Sequence, residues 1–174
     1  MSDPANTFFI ECRAFDGAKI VDEALAVNGF SRAQATDPQK PSEAEAIHKF
    51  IEWTQNLADI SLAGQNVSYD RDMLRYAAQR AGHTSDPFAH RTIDSHTLAW
   101  MHMVKRGLTP PVDPAKRHSA LNLDAVLQYC GIPEEPKPHN ALTGAKSHAE
   151  VISRLLYDKK LLPEFEQYAI PWLK

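Results

Sequence analysis

Residues 60–78 constrain the fold more than any other stretch of the chain. Ile60-Ser61-Leu62-Ala63 is a short apolar run that fits a buried strand. Gly64 and Asn66 follow it, and both residue types permit a sharp turn at a strand end. Asp70 then opens a helix in which Met73, Leu74, Ala77 and Ala78 recur at helical spacing. A strand that turns directly into a helix is the building unit of α/β folds, and open sheets of that kind bind ligands at the carboxyl ends of their strands. The Asp70 carboxylate is therefore expected close to that edge. The plainer alternative is that Ser68 or Asp70 serves only as a helix cap.

The flanking segments repeat the same alternation of short strands and helices. Phe8, Ile10 and Cys12 alternate with Phe9, Glu11 and Arg13, which predicts a strand across Thr7–Ala14 with one buried face. Asp22 to Val27, stopped by Gly29, predicts one or two helical turns, and the polar stretch from Ser31 to Pro41 a loop with a short turn of helix. Ser42 with Glu45 matches a capping box, ahead of a helix carrying Ile47, Phe50, Ile51 and Trp53. Arg91–Asp94 reads as a further strand. Thr97–Val104 reads as a helix, with Trp100, Met101 and Met103 as packing residues. Leu121–Tyr129 is helical, with Leu123, Val126 and Leu127 as its apolar positions. A long last helix follows His139, with Ala141, Leu142, Ala145, Ala149, Ile152 and Leu156 on its inward face. Phe165, Tyr168, Ile170 and Trp172 predict that the tail packs back on the rest.

A chain of 174 residues can bury a full core in one domain. Its net charge of −3 advertises no overall basic field for nucleic acid, but a sum hides local patches. One such patch is present. Gly107–Ser119 carries Pro110, Pro111 and Pro114 with Lys105, Arg106, Lys116, Arg117 and His118 around them, and predicts an extended basic loop. Lys and Arg are the usual phosphate ligands, so Lys116 and Arg117 are candidate substrate contacts. Cys12 and Cys130 lack the spacing of a zinc site or a disulfide framework, and are expected as small buried residues in a reducing compartment. No apolar run approaches the ~20 residues of a membrane span, and no signal peptide opens the chain, so a cytoplasmic location is expected.

Three stretches, in order, resemble a known family. They are Ala63-Gly64-Gln65-Asn66-Val67-Ser68-Tyr69-Asp70, then Ile93-Asp94-Ser95-His96-Thr97-Leu98-Ala99, then Leu121–Leu127 with His139-Asn140-Ala141-Leu142. The family is the DEDDh branch of the 3′–5′ exonucleases, ribonuclease H-like enzymes related to the proofreading subunit of bacterial DNA polymerase III. Glu23–Phe30 is similar to the family's segment between its first and second motifs. The likeness runs over 7–156 and leaves 157–174 as a tail, within a single domain spanning 1–174. It implies an α/β, ribonuclease H-like mixed sheet flanked by helices.

The resemblance also implies hydrolysis of phosphodiester bonds at single-stranded DNA or RNA ends, with Mg²⁺ or Mn²⁺ as cofactor. Asp70 would be a metal ligand and His139 the general base on the attacking water. Asn66 would position the turn or touch substrate. Two departures accompany the likeness. The last carboxylate of the family's set would fall at position 144, which is glycine. The first motif, an Asp-x-Glu, would fall one hairpin ahead of the Phe8 strand, upstream of Met1, so the first strands of the sheet are expected to be missing. Glu11 as a degenerate first motif lacks an Asp two residues earlier, and Glu150 lies about a turn and a half beyond Gly144. One matched carboxylate cannot hold two Mg²⁺ ions, so exonuclease activity is expected to be impaired or absent. The alternative is a non-catalytic nucleic-acid or protein-binding module on the same fold. An exposed sheet edge would also invite a homodimer.

Overall fold

A computed structural model of the chain describes residues 3–138 and 140–173. The elements are α1 (Asp22–Val27), α2 (Arg32–Ala35), α3 (Glu43–Thr54), β1 (Leu62–Gly64), α4 (Val67–Arg80), β2 (Thr92–Asp94) and α5 (Ser95–Lys105). Then come β3 (Val112–Asp113), β4 (His118–Ser119), α6 (Leu123–Tyr129), α7 (Ala141–Tyr157) and a 3₁₀ turn at Pro163–Phe165. β1 and β2 pair in parallel, with Leu62 opposite Thr92 and Gly64 opposite Asp94. β3 and β4 form a small antiparallel ladder, Val112 opposite Ser119. The fold is thus α/β, with small sheets of both kinds flanked by helices.

Parallel strands need a crossover, and α4 supplies it. It packs against α3, and the two share a core of Ile47, Ala77, Ala78 and Phe88 with Phe50, Ile51 and Leu74 at its margin. The Ser42–Glu45 capping box forms as the sequence predicts: the Ser42 hydroxyl accepts the Glu45 N–H, and the Glu45 carboxylate accepts the Ser42 N–H at 2.7 Å. Arg80, at the end of α4, donates two 2.7 Å hydrogen bonds to Glu43 at the start of α3 and fixes how the helices sit together.

α7 is the centre of the second core, against Ala99, Leu121, Val126, Leu127, Cys130 and Ile132. Its inward face differs from the expected one. Ser147, Glu150, Val151, Ile152, Ser153, Arg154 and Leu155 are buried, while Ala141, Ala145 and Leu156 are exposed. An amphipathic stripe misjudges this helix because two of its most buried side chains are charged. Glu150 and Arg154 are both fully buried and joined at 2.7 Å. Arg154 donates further to the carbonyls of Cys130, Ala169, Phe165 and Tyr168, and Glu150 accepts the N–H groups of Leu161 and Leu162. The pair therefore ties residues 161–169 to α7.

Four further expectations are corrected. Thr7–Ala14 forms no strand: its ordered backbone bonds run from Arg13 N–H to Pro41 and from Ala14 N–H to Ala35, and no second strand offers it a ladder. Phe8 and Ile10 are half-buried and Phe9 and Glu11 exposed, so the alternation holds over these four residues and breaks at Cys12. Cys12 lies on that segment and is exposed, whereas Cys130 is buried, its thiol pushed up to about 12 by burial. Gly107–Ser119 contains the β3–β4 hairpin rather than only loop. Trp100 and Met101 are exposed on α5, which turns Leu98, Ala99 and Met103 inward instead.

Trp172 closes the tail over α5 and α6. It stacks on Tyr129 and lies 4.4 Å, centroid to centroid, from the His102 ring, whose Nδ1 is 2.7 Å from the Tyr129 hydroxyl. Burial, then the nearby Arg106, lowers the His102 pKa, with Asp158 opposing. The unfolded chain therefore binds the proton more readily than the folded one. The His102 contribution is full above its unfolded value of about 6.5 and is lost as pH falls through the lowered folded value. Urea unfolding from pH 7.5 to 5 is expected to show a decline in stability that His102→Gln flattens.

Candidate functional site

The carboxyl ends of β1 and β2 are joined by one carboxylate. Asp94 Oδ2 accepts the Asn66 N–H at 2.9 Å, and Asp94 Oδ1 accepts the His96 N–H at 2.9 Å. The first bond holds the turn into α4, and the second caps α5. Asn66 occupies the left-handed region, with φ 53° and ψ 34°. Asparagine enters that region more easily than most residues because its short amide can bond locally. The conformation of this turn is thus carried by Asn66 and not by Gly64, where a Cβ would meet only ordinary contacts at 3.7 Å and beyond.

α4 begins at Val67, three residues before the expected start. Asp70 therefore neither opens nor caps the helix. It sits in the first turn, exposed, where the positive end of the helix dipole favours a carboxylate. Lys116 and Arg117 lie in the turn of the β3–β4 hairpin and are exposed. Asp113 shapes that turn: its Oδ1 accepts the N–H groups of Ala115 and Lys116, and its carbonyl accepts that of Arg117, which adopts φ 57°.

Between the hairpin and the two helix heads lies a crevice of about 330 Å³, lined by Gln65, Asn66, Asp94, His96, Thr97, His118 and Ser119. His96 Nε2 is 2.9 Å from the Ser119 hydroxyl, which links α5 to β4. Asn66 thus lines the same crevice as the hairpin that carries Lys116 and Arg117. Sequence reading had singled out neither His96 nor Ser119 as site residues. They stand 23 positions apart, and the signal available was only that His96 follows a strand-to-helix junction.

His139 lies outside the described residues. Gly144 lies in α7, and the space beside it is taken: a Cβ there would stand 3.2 Å from Glu135 Oε1. Glu150, the other acid of α7, is consumed by Arg154 and by two backbone N–H groups, so it is no metal ligand. Glu11 pairs with Lys40 at 3.0 Å. Among the described residues no three His, Cys, Asp or Glu side chains lie close enough to hold a metal ion together. That donor set does not fit a resident pair of divalent cations. No helix is long and apolar enough to cross a membrane among the described residues.

A helix-flanked parallel strand pair, with polar groups gathered at its carboxyl ends, is what a distant relative of the ribonuclease H-like exonucleases would present. Similarity to known proteins points the same way. Ribonuclease T of Klebsiella pneumoniae is 31% identical over 134 residues, covering 68% of this chain and 61% of that protein. Ribonuclease T of Cronobacter sakazakii is 27% identical over 150 residues, covering 74% and 65%. The chain thus spans somewhat under two thirds of the length of these curated relatives, and the relationship is a distant one, at the level of the superfamily. No family profile matches the chain.

Proposed function

We propose that this chain is a 3′–5′ exonuclease-family domain that engages single-stranded nucleic-acid ends, with its hydrolytic step impaired. The observation that carries the reading is the pairing of likeness and loss. The chain resembles ribonuclease T over most of its length, a name that denotes RNA cleavage, while position 144 is glycine and no three metal-ligating side chains gather among the described residues. In this reading Asp70 is the retained metal-binding carboxylate and His139 the retained base. Lys116, Arg117 and Asn66 contact the substrate strand. The described residues lack the set to hold Mg²⁺ or Mn²⁺ in place. Mg²⁺ keeps several waters and relies on carboxylates and substrate phosphates, so a site short of carboxylates loses both affinity and geometry. Misplacement by about 1 Å can lower a rate ~100-fold.

The second reading, a binding module without catalysis, is favoured by the lack of a three-residue ligand cluster among the described residues. One assay separates them. The purified protein is titrated with Mg²⁺ or Mn²⁺ in the presence of a labelled single-stranded oligonucleotide. Slow 3′ shortening that Asp70→Ala abolishes supports residual catalysis, whereas a retained but uncut strand supports binding alone. Failure to retain any strand would refute both. β2 is the one ladder partner of β1 among the described residues, and we propose that a second copy pairs with the other edge of β1 to form a homodimer. Size-exclusion at micromolar concentration is expected to show a dimer, and a clean monomer would end that proposal.

A further inference from the structure

We infer that the crevice between the α4 and α5 heads and the β3–β4 hairpin holds the sugar–phosphate backbone of a nucleic-acid strand without reading its bases. This rests on the nucleic-acid reading proposed above and assigns it a place and a chemistry.

Four observations carry the inference. First, every residue lining the crevice is polar. A ligand without polar groups would leave these donors and acceptors unmatched, and the volume of about 330 Å³ is at the small end of ligand pockets, which run from about 300 to 1,000 Å³. Second, among the described residues no aromatic side chain other than the two imidazoles lines it. Strand binding through bases uses stacking platforms of larger rings, so this crevice offers a base little and a backbone more.

Third, its imidazoles are oriented. The Ser119 carbonyl can only accept, so the 2.9 Å contact to His118 Nδ1 places a proton on Nδ1 and leaves Nε2 as the ring's other polar atom. The Ser119 hydroxyl oxygen accepts the Leu121 N–H at 3.3 Å and bonds His96 Nε2 at 2.9 Å, which holds the second ring in place. Hydroxyl, amide and imidazole groups mix donors with acceptors, as a sugar hydroxyl beside a phosphate requires.

Fourth, two cations stand at the hairpin side of the crevice, and the carboxylates there are engaged by backbone N–H groups. Asp94 lies inside the crevice, but both its oxygens are taken by backbone N–H groups at two helix heads, which offset its charge. Asp113 is likewise engaged with the turn. Lys116 and Arg117 immediately precede His118 and are exposed, so a strand lying in the crevice passes beside two cations.

The test measures fluorescence anisotropy of labelled single-stranded oligonucleotides of two unrelated sequences, without divalent metal, across a salt series. His96→Ala and Arg117→Ala are each expected to weaken binding of both sequences by about 5–10-fold, since backbone contacts act uniformly. Arg117→Ala is also expected to lower the slope of log K against log salt by about 0.7 to 1. Arg117 lies on an exposed turn, so if His96→Ala melts early, Arg117→Ala with Lys116→Ala decides the matter. Equal affinity of wild type and these variants overturns the inference while leaving the nucleic-acid reading intact. No strand binding by the wild type overturns both. Displacement of the strand by millimolar inorganic phosphate identifies a free-phosphate site and also overturns the inference.

Discussion

Arg154→Ala is expected to lower the unfolding free energy by about 3–5 kcal/mol, the usual result of removing one partner from a buried ion pair. A domain of this kind has about 5–15 kcal/mol in total, so the loss takes a large share of its margin. The size of the effect follows from what the guanidinium holds. Its five bonds run to Glu150 and to the carbonyls of Cys130, Phe165, Tyr168 and Ala169. Truncation leaves Glu150 charged and buried, with only the Leu161 and Leu162 N–H groups to offset it. It also takes the donor from the carbonyls of Cys130, Tyr168 and Ala169, each costing about 1–3 kcal/mol where water cannot reach it, while Phe165 keeps the Tyr168 N–H. Urea unfolding followed by circular dichroism measures the loss. Limited proteolysis is expected to cut first between residues 158 and 170. The pair is not a source of stability in the simple sense, since desolvation of two charges offsets their attraction. Glu150→Leu with Arg154→Met is accordingly expected to lose less than Arg154→Ala alone. A double variant as unstable as the single one would show that the backbone bonds, and not the stranded charge, dominate.

The same pair shows where sequence reading reaches and where it stops. Helices with clear caps were legible: Ser42 and Glu45 announce α3, and Leu123, Val126 and Leu127 announce α6. Both depend on neighbours within one or two turns. The strand at Ile60 and the helix after it were legible for the same reason, although the helix starts at Val67 because Asn66 takes the left-handed turn. α7 was legible as a helix but not in its facing. Periodicity counts apolar residues, and a buried Glu–Arg pair is invisible to it. The Phe8 segment shows the opposite failure. Its alternation is real, but a strand also needs an edge to pair with, and none is supplied. Of the residues lining the crevice, the sequence singled out Asn66. Asn66, Asp70, Lys116 and Arg117 were read from local pattern. The meeting of His96 with Ser119, and of Glu135 with Gly144, depends on packing between distant segments.

Gly131→Ala is expected to destabilise the protein by about 3 kcal/mol, lowering Tm by roughly 6–12 °C at the usual 2–4 °C per kcal/mol for a domain of this size. Two effects add. Gly131 has φ +71°, and an L-residue held in the left-handed region costs roughly 1–2 kcal/mol. A Cβ there would also stand 2.6 Å from the Ala169 carbonyl oxygen and 2.9 Å from the Pro171 ring, so residues 169–171 must move. Gly82→Ala isolates the first effect: it shares a positive φ of +92° but would meet nothing within 4 Å. It is expected to show the backbone cost alone. The excess at Gly131 then reports the displacement of Ala169, whose carbonyl is one of the Arg154 acceptors. The two sites therefore share a partner, and their effects are not expected to sum. In a double-mutant cycle, Gly131→Ala with Arg154→Ala should fall short of additivity by about 0.5–3 kcal/mol, the range for residues in one network. Full additivity would mean that the tail settles on α6 independently of Arg154, and the buried pair would then hold residues 161–168 alone.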